Sequence, residues 1–461
     1  MRKQKLLSIL CFFIILPFGK SESGTTHLLP KQQKITHVQK TLCKKGKRPK
    51  SLRPTAQQYT PDDSLALANY TFDPQIHSVK FTPYGFPLLL PILTQNASTP
   101  LSLSFDDFSS DVRRFYYKII ACNYDWSRSE LSENEYLNGY TYAYIEDYDF
   151  SFNTLRPFTH YWLTVPNDQI QITKSGNYVI QVYDDDTDKL ILARRFFIAE
   201  KSVEIRAQMI IPRMVSSMDT RQELVFSIHH PEMEIRNPRM EIHANVIQNG
   251  RWDNAVIGAS PRISRPDRDL FDQPGQFSFD AGKEFRNLDL RSFRSPAPEI
   301  LNINRYDSGF EITLRKDYKR FNKTYRDFPD INGSFAIQTF DFDNDELESD
   351  YARVLFSLYS PTAFAQHDVY LFGEFSDWQI KPEFRMAYNN IINGYVAEIE
   401  LKQGVYNYYY VRVPKDGNTI DLSETEGSWR NTENQYTIFV YYRPFGQRYD
   451  RLIAVETINS R

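Results

Sequence analysis

Residues 156–184 read RPFTHYWLTVPNDQIQITKSGNYVIQVYD, and the centre of this stretch, Ser175-Gly176-Asn177-Tyr178-Val179-Ile180-Gln181, limits the fold more than any other part of the chain. A tyrosine shortly after a glycine turn and two residues before an apolar position can close a sandwich corner by donating its hydroxyl to upstream backbone. Ile180 stands at that apolar position. Along the strand, Val179, Gln181 and Tyr183 would share one face and Ile180 and Val182 the other, with Asp184-Asp185-Asp186 ending it at a turn.

The pattern recurs as Asn332-Gly333-Ser334-Phe335-Ala336-Ile337-Gln338 and as Gln403-Gly404-Val405-Tyr406-Asn407-Tyr408-Tyr409. Three copies suggest three related sandwiches in series, while their irregular spacing argues against a strict repeat array. Phe335 has no hydroxyl, so the middle copy would serve as apolar packing only. The length of 461 residues suggests about three domains. A 15% aromatic content, with 30 Tyr and 33 Phe, favours pleated half-buried strands. The expected fold is all-β, with three immunoglobulin-like or early-set β-sandwich domains at 59–201, 202–350 and 351–461.

Strand-like runs fill these three stretches and are too short for ordinary amphipathic helices. The first has 76–89, 101–105, 114–122 and 190–198; the second has 205–211, 223–229, 239–248, 275–279 and 309–314. The third has 354–358, 369–372, 395–401, 405–413 and 437–442, with hairpin signals at Asn393-Gly394 and Asp416-Gly417. The long polar connection at 260–274 is the kind that carries function or moves. In the polar connection 123–137, Trp126 reads as a packing anchor ahead of a ligand platform.

The N-terminus has the parts of a secretory signal: Arg2, Lys3 and Lys5, an apolar run at 6–16, then Pro17, Gly19 and Ser21. Residues 1–22 are expected to be the signal, with cleavage between 21 and 24. The apolar run is shorter than a bilayer span requires. Cys11 lies inside the run after the bulky Leu10, which disfavours a lipid anchor. Cys43 and Cys122 remain after cleavage, and a bridge between them is not favoured. Residues 1–53 hold thirteen Lys or Arg and one Glu, a net of +12; with −3 for the whole chain, the remainder is −15. Residues 23–58 form a basic arm, within which 31–53 has nine positive charges and no acid. A solvated, disordered arm is the plain reading, and a tether to an anionic membrane surface the sharper one. Export removes nucleic acid as a partner.

No catalytic, metal or cofactor-binding residues are assigned. The eight His are scattered, and His229 and His230 would point to opposite faces of a strand. There is no nucleophile elbow and no phosphate-binding glycine loop. The run Asp341-Phe342-Asp343-Asn344-Asp345-Glu346 lacks the glycine and twelfth-position glutamate of a calcium loop and reads as a solvated turn. Gly373-Glu374-Phe375-Ser376-Asp377-Trp378 resembles the G-x-F-x-x-W opening of early-set sandwiches that bind starch and glycogen, although a Trp in that place more often folds back as core.

Arg114-Phe115-Tyr116-Tyr117-Lys118, Cys122-Asn123-Tyr124-Asp125-Trp126, His160-Tyr161, Pro166-Asn167, Ser175-Gly176-Asn177-Tyr178 and the ending Tyr441-Tyr442-Arg443-Pro444-Phe445-Gly446 with Arg448-Tyr449-Asp450-Arg451-Leu452-Ile453 carry a resemblance to the type IX secretion system plug proteins of Bacteroidota. That resemblance implies a periplasmic, non-catalytic subunit at the inner face of the outer membrane that docks on a large outer-membrane β-barrel translocon and closes it, with no cofactor. The alternative is a periplasmic or surface glycan-binding protein using the C-terminal domain. Tyr136, Tyr140, Tyr142 and Tyr144 are candidate aromatic anchors, set against the plainer reading of a strand face packed in the first core. The sequence names no contact residues.

Overall fold

A computed structural model of the chain describes residues 64–95, 99–109 and 111–461. The expected signal, the basic arm and Cys43 lie outside them. Strand Gly176–Asp184 is central: Phe115–Cys122 pairs on one side and Leu190–Ala199 on the other. With Tyr70–Thr71, Ile92–Thr94 and Tyr142–Ile145 they make a six-stranded sheet. Ile76–Pro83, Leu101–Asp107, Thr159–Val165 and Asp147–Phe150 form the facing four-stranded sheet. Alternation sorts the side chains: Tyr178, Ile180 and Val182 enter the core between the sheets with Phe105, Phe115 and Phe196, while Val179 faces outward into a separate apolar cluster. The corner forms as expected, with the Tyr178 hydroxyl donating to the Lys174 carbonyl at 2.8 Å. The apolar run at 76–89 becomes a strand only to Pro83, and the rest is an exposed loop.

Two further cores follow. One lies between a five-stranded sheet built on Glu204–Ile210 and Arg221–His229 and a four-stranded sheet in the order Arg251–Ala259, Ile242–Gln248, Gln435–Tyr442, Arg451–Asn459. The other is wrapped by a ten-stranded sheet running from Arg286–Asp289 through Gly404–Pro414, Gly394–Lys402 and Tyr351–Tyr359 to Ile300–Tyr306. Sheet pairing therefore crosses the expected boundary at 351, and the described residues from 64 onward belong to one compact unit. The physical reason lies in Gln435–Tyr442, which is apolar on both faces: Ile438 and Val440 enter the second core, and Phe439 and Tyr441 enter the cluster holding Val179. Such a strand must be central and covered on both sides, and Ile242–Gln248 supplies the neighbour that completes it.

The three copies of the corner motif divide differently from expectation. Tyr406 makes a true corner, donating to Lys402 O at 2.7 Å. Phe335 is paired directly opposite Tyr406 and stacks on it in the same core, so the middle copy serves the third core and the second has none. Its Gly333, at φ +82°, is required by close packing, since a Cβ there would lie 2.2 Å from the Trp378 ring.

Candidate docking surface

The cores are joined by buried polar groups that the alternation of strands aims outward. On Leu101–Asp107, Leu103 and Phe105 face inward and Asp106 faces out, directly opposite His160 on the neighbouring strand. His160 Nδ1 lies 2.6 Å from Asp106 Oδ1. From the ten-stranded sheet, the Tyr351 hydroxyl and Lys402 Nζ each donate to Asp106 Oδ2 at 2.6 Å. Burial pushes the Asp106 carboxyl up, but Lys402 and His160 outweigh it and hold the pKa below the usual carboxylate range. Two more brackets come from the Gly373–Trp378 segment. Lys80 donates to both Glu374 oxygens at 2.7 and 2.8 Å, and Arg194 donates to Asp377 at 2.8 Å beside Lys381 at 2.6 Å. Trp378 itself is buried against Phe285 and Phe372, so this motif offers no aromatic platform for a sugar.

The joint with the second core is built largely from the motif residues. Tyr124 N donates to Asp450 at 2.9 Å, Arg443 bridges Asp450 and Asn123 at 2.7 to 2.8 Å, and the Tyr441 hydroxyl donates to Asn177 at 2.9 Å. Arg451 pairs with Glu200 at 2.6 Å, and Ser175 donates to the same carboxylate at 2.5 Å. Trp126 lies in the apolar part of the joint, edge-on to Phe197 and Trp252 with the Arg195 guanidinium 4.0 Å from its ring centroid. It is a packing anchor.

Beyond this joint the outer face of the six-stranded sheet carries tyrosines, of which Tyr116 is buried, Tyr144 and Tyr183 are half-buried and Tyr142 is exposed. Register places Tyr144, Tyr116 and Tyr183 side by side on three neighbouring strands, with Tyr142, Lys118 and Gln181 in the next row and Ile120 and Val179, already inside the joint, in the row after that. Tyr116 and Tyr183 stack at 5.1 Å, and Tyr142 and Tyr144 meet Tyr116 edge-on at 5.9 and 6.4 Å. The acidic turn after Asp184 ties the row down: Tyr116 donates to Asp188, and Tyr144 to Asp185 at 3.3 Å. Arg114 lies over Tyr144, and Lys118 over Tyr116 and Tyr183. The result is an aromatic ladder rimmed by charges of both signs.

Of the four tyrosine anchors considered from sequence, Tyr136 belongs to the core, donating to Ile119 O at 3.0 Å, with burial pushing its pKa up to about 12. Tyr140 is 68% exposed, and Tyr142 and Tyr144 are on the ladder. Sequence reasoning missed Tyr116 and Tyr183 as partners in the row, although both lie in runs it singled out; register alone brings them together. It also missed Phe445, 98% exposed on a turn closed by Gln447 N to Pro444 O with Gly446 at φ +85°.

Elsewhere the candidate chemistry resolves into structure. His230 is buried against Asp269 at 3.0 Å, and the adjacent His229 contacts Ser227. Asp341 accepts from Ser292, Phe293 and Gln403, and Asp345 from Thr339 N, so the acidic run is a hydrogen-bonded turn. Cys122 is a free, buried thiol, which burial pushes up to about 12. Among the described residues no group of three or more His, Cys, Asp and Glu side chains is placed to hold a metal.

The described fold is all-β. Residues 76–200 match the family model described as type 9 secretion system plug protein 1st domain. A crystal structure of a hypothetical protein from Parabacteroides merdae ATCC 43184 is 31% identical, with a TM-score of 0.81 over 85% of this chain and 99% of that one. A second solved chain, BspA_C_WT, covers 83% of this chain and 98% of its own length at 7% identity and a TM-score of 0.14, too low to bear on the fold. No curated protein matches. Residues 76–200 belong to the type IX secretion system plug protein family, and that match ties the chain to this secretion machinery near the cell envelope.

Proposed function

We propose that this chain is the non-catalytic periplasmic plug of the type IX system. It docks on the inner face of the large outer-membrane β-barrel and closes it while no cargo passes. The observation that carries the reading is the match of residues 76–200 to the first plug domain. The physical form suits the task. A stopper in a wide channel has to resist bending between its parts, and buried ion pairs bracket the first sandwich to the ten-stranded sheet. Release requires reversible contact, which a few aromatic anchors in a polar setting supply better than a wide apolar interface. The Tyr144–Tyr116–Tyr183 row with Tyr142 is the proposed grip.

The test is affinity purification of the tagged chain from detergent-solubilised outer membranes, with mass-spectrometric identification of what accompanies it. The translocon barrel is expected with the native chain, in reduced yield with Tyr142→Ala/Tyr144→Ala. Absence of the barrel overturns the reading. Equal yield with both chains overturns the assignment of the ladder.

A further inference from the structure

Between Phe81 and Phe105 the chain has no charged residue. Within this stretch Tyr84, Gly85, Phe86, Pro87, Leu88 and Leu89 are six consecutive exposed residues, and the four large apolar side chains are 47% to 63% exposed. Single exposed apolar residues are ordinary on soluble proteins, but four in one loop are not. The loop is also held in shape. Tyr84 N donates to Pro100 O at 3.0 Å, Phe86 N to Pro83 O at 2.9 Å and Leu89 N to Phe86 O at 3.2 Å, while Pro87 has no amide to satisfy. At its base, Leu90 packs with Trp252 and Phe439 in the joint between the first two cores.

A protein-binding loop of this size would normally carry polar groups to set orientation, because interfaces form about one hydrogen bond per 100–200 Å². Here the Tyr84 hydroxyl is the one polar side-chain group from 84 to 89. What the loop has instead suits entry into hydrocarbon: no charge to desolvate, the Phe86 and Leu89 amides bonded to nearby carbonyls, no amide at Pro87, and an aromatic with a polar tip beside Phe and Leu. The same chain carries nine Lys or Arg and no acid at 31–53. A single shallow insertion holds a protein on a bilayer only weakly, and a polybasic segment is the usual second signal. Among the described residues no helix is long and apolar enough to cross a membrane.

We infer that the Tyr84–Leu89 loop is an interfacial anchor that inserts Phe86, Leu88 and Leu89 into a lipid surface, with the 31–53 arm adding attraction where that surface is anionic. Lipid insertion and barrel docking use different side chains, so either can fail without the other.

The test is flotation of the full mature chain with phosphatidylcholine vesicles at high salt, where charge attraction is screened, and with vesicles in which phosphatidylglycerol replaces part of that lipid at low salt. The native chain should float with both and more strongly with the second. Phe86→Glu/Leu88→Glu should lower partitioning by about tenfold or more on the neutral vesicles, and its thermal unfolding should match the native chain because the replaced side chains are exposed. Equal flotation of this variant and the native chain, or binding of the native chain to anionic vesicles alone, overturns the inference. Unchanged flotation together with lost capture of the translocon barrel would make the loop a protein contact and overturns it equally.

Discussion

Asp106, facing out of the first sandwich, and Lys402, facing in from the ten-stranded sheet, lie 2.6 Å apart with both side chains only 1% exposed. The pair is separated by 296 positions and is completed by His160 and Tyr351. Removing one partner leaves the other charge buried and uncompensated, so Lys402→Ala should cost about 3–5 kcal/mol. Replacing both by apolar residues of similar size, as in Asp106→Leu/Lys402→Met, should cost less than the single change. Denaturant titration of the three chains checks this ordering.

The two tyrosine corners make a matched pair of tests. Tyr178 and Tyr406 each donate to the carbonyl four residues before them, at 2.8 and 2.7 Å. Tyr178→Phe and Tyr406→Phe should each lower stability by about 1 kcal/mol, one buried hydrogen bond apiece. Barrel capture by the folded fraction should be unchanged, since neither hydroxyl reaches the surface.

His77 supplies a pH dependence. It stacks on Phe108 at 4.1 Å and meets Tyr351 edge-on. Burial lowers its pKa from 6.5 to about 4, against a weaker upward pull from Asp106. Above pH 6.5 the ring is neutral whether folded or unfolded, and stability is full. As pH falls from 6.5 towards 4 the unfolded chain takes the proton first, so stability declines, by about 3 kcal/mol across that window. His77→Gln should flatten the curve of unfolding free energy between those pH values.

Docking should be sensitive to the ladder while folding is not. Tyr142→Ala/Tyr144→Ala removes two partly exposed rings from the row. The pair is expected to weaken barrel binding by about 2 kcal/mol or more, measured by titration of the purified barrel. Tyr142→Ala alone should leave stability within about 0.5 kcal/mol.

Much of the fold was legible locally, because alternation and corner chemistry are local. The inward set of Gly176–Asp184, the Tyr178 corner and the inward turn of Trp378 follow from residues a few positions apart. The assignment of strands to cores was not legible. Gln435–Tyr442 and Arg451–Asn459 lie within the third stretch yet complete the second core, because a strand apolar on both faces does not specify its neighbours. The run 76–89 shows the same limit from the other side: Ile76–Pro83 is a strand, and equally apolar residues after it stand in solvent. The motif residues Asn123, Tyr124, Asn177, Arg443 and Asp450 turned out to hold the first two cores together. The tyrosine row depends on register across three strands, which spacing within any one of them does not reveal.

The most direct measurement is electrical. Purified translocon barrel in a planar bilayer should conduct ions, and addition of this chain to the periplasmic side should abolish the current. The block should reverse on washing and weaken with Tyr142→Ala/Tyr144→Ala. A current that persists undiminished at saturating concentrations of the folded chain would contradict the plug account.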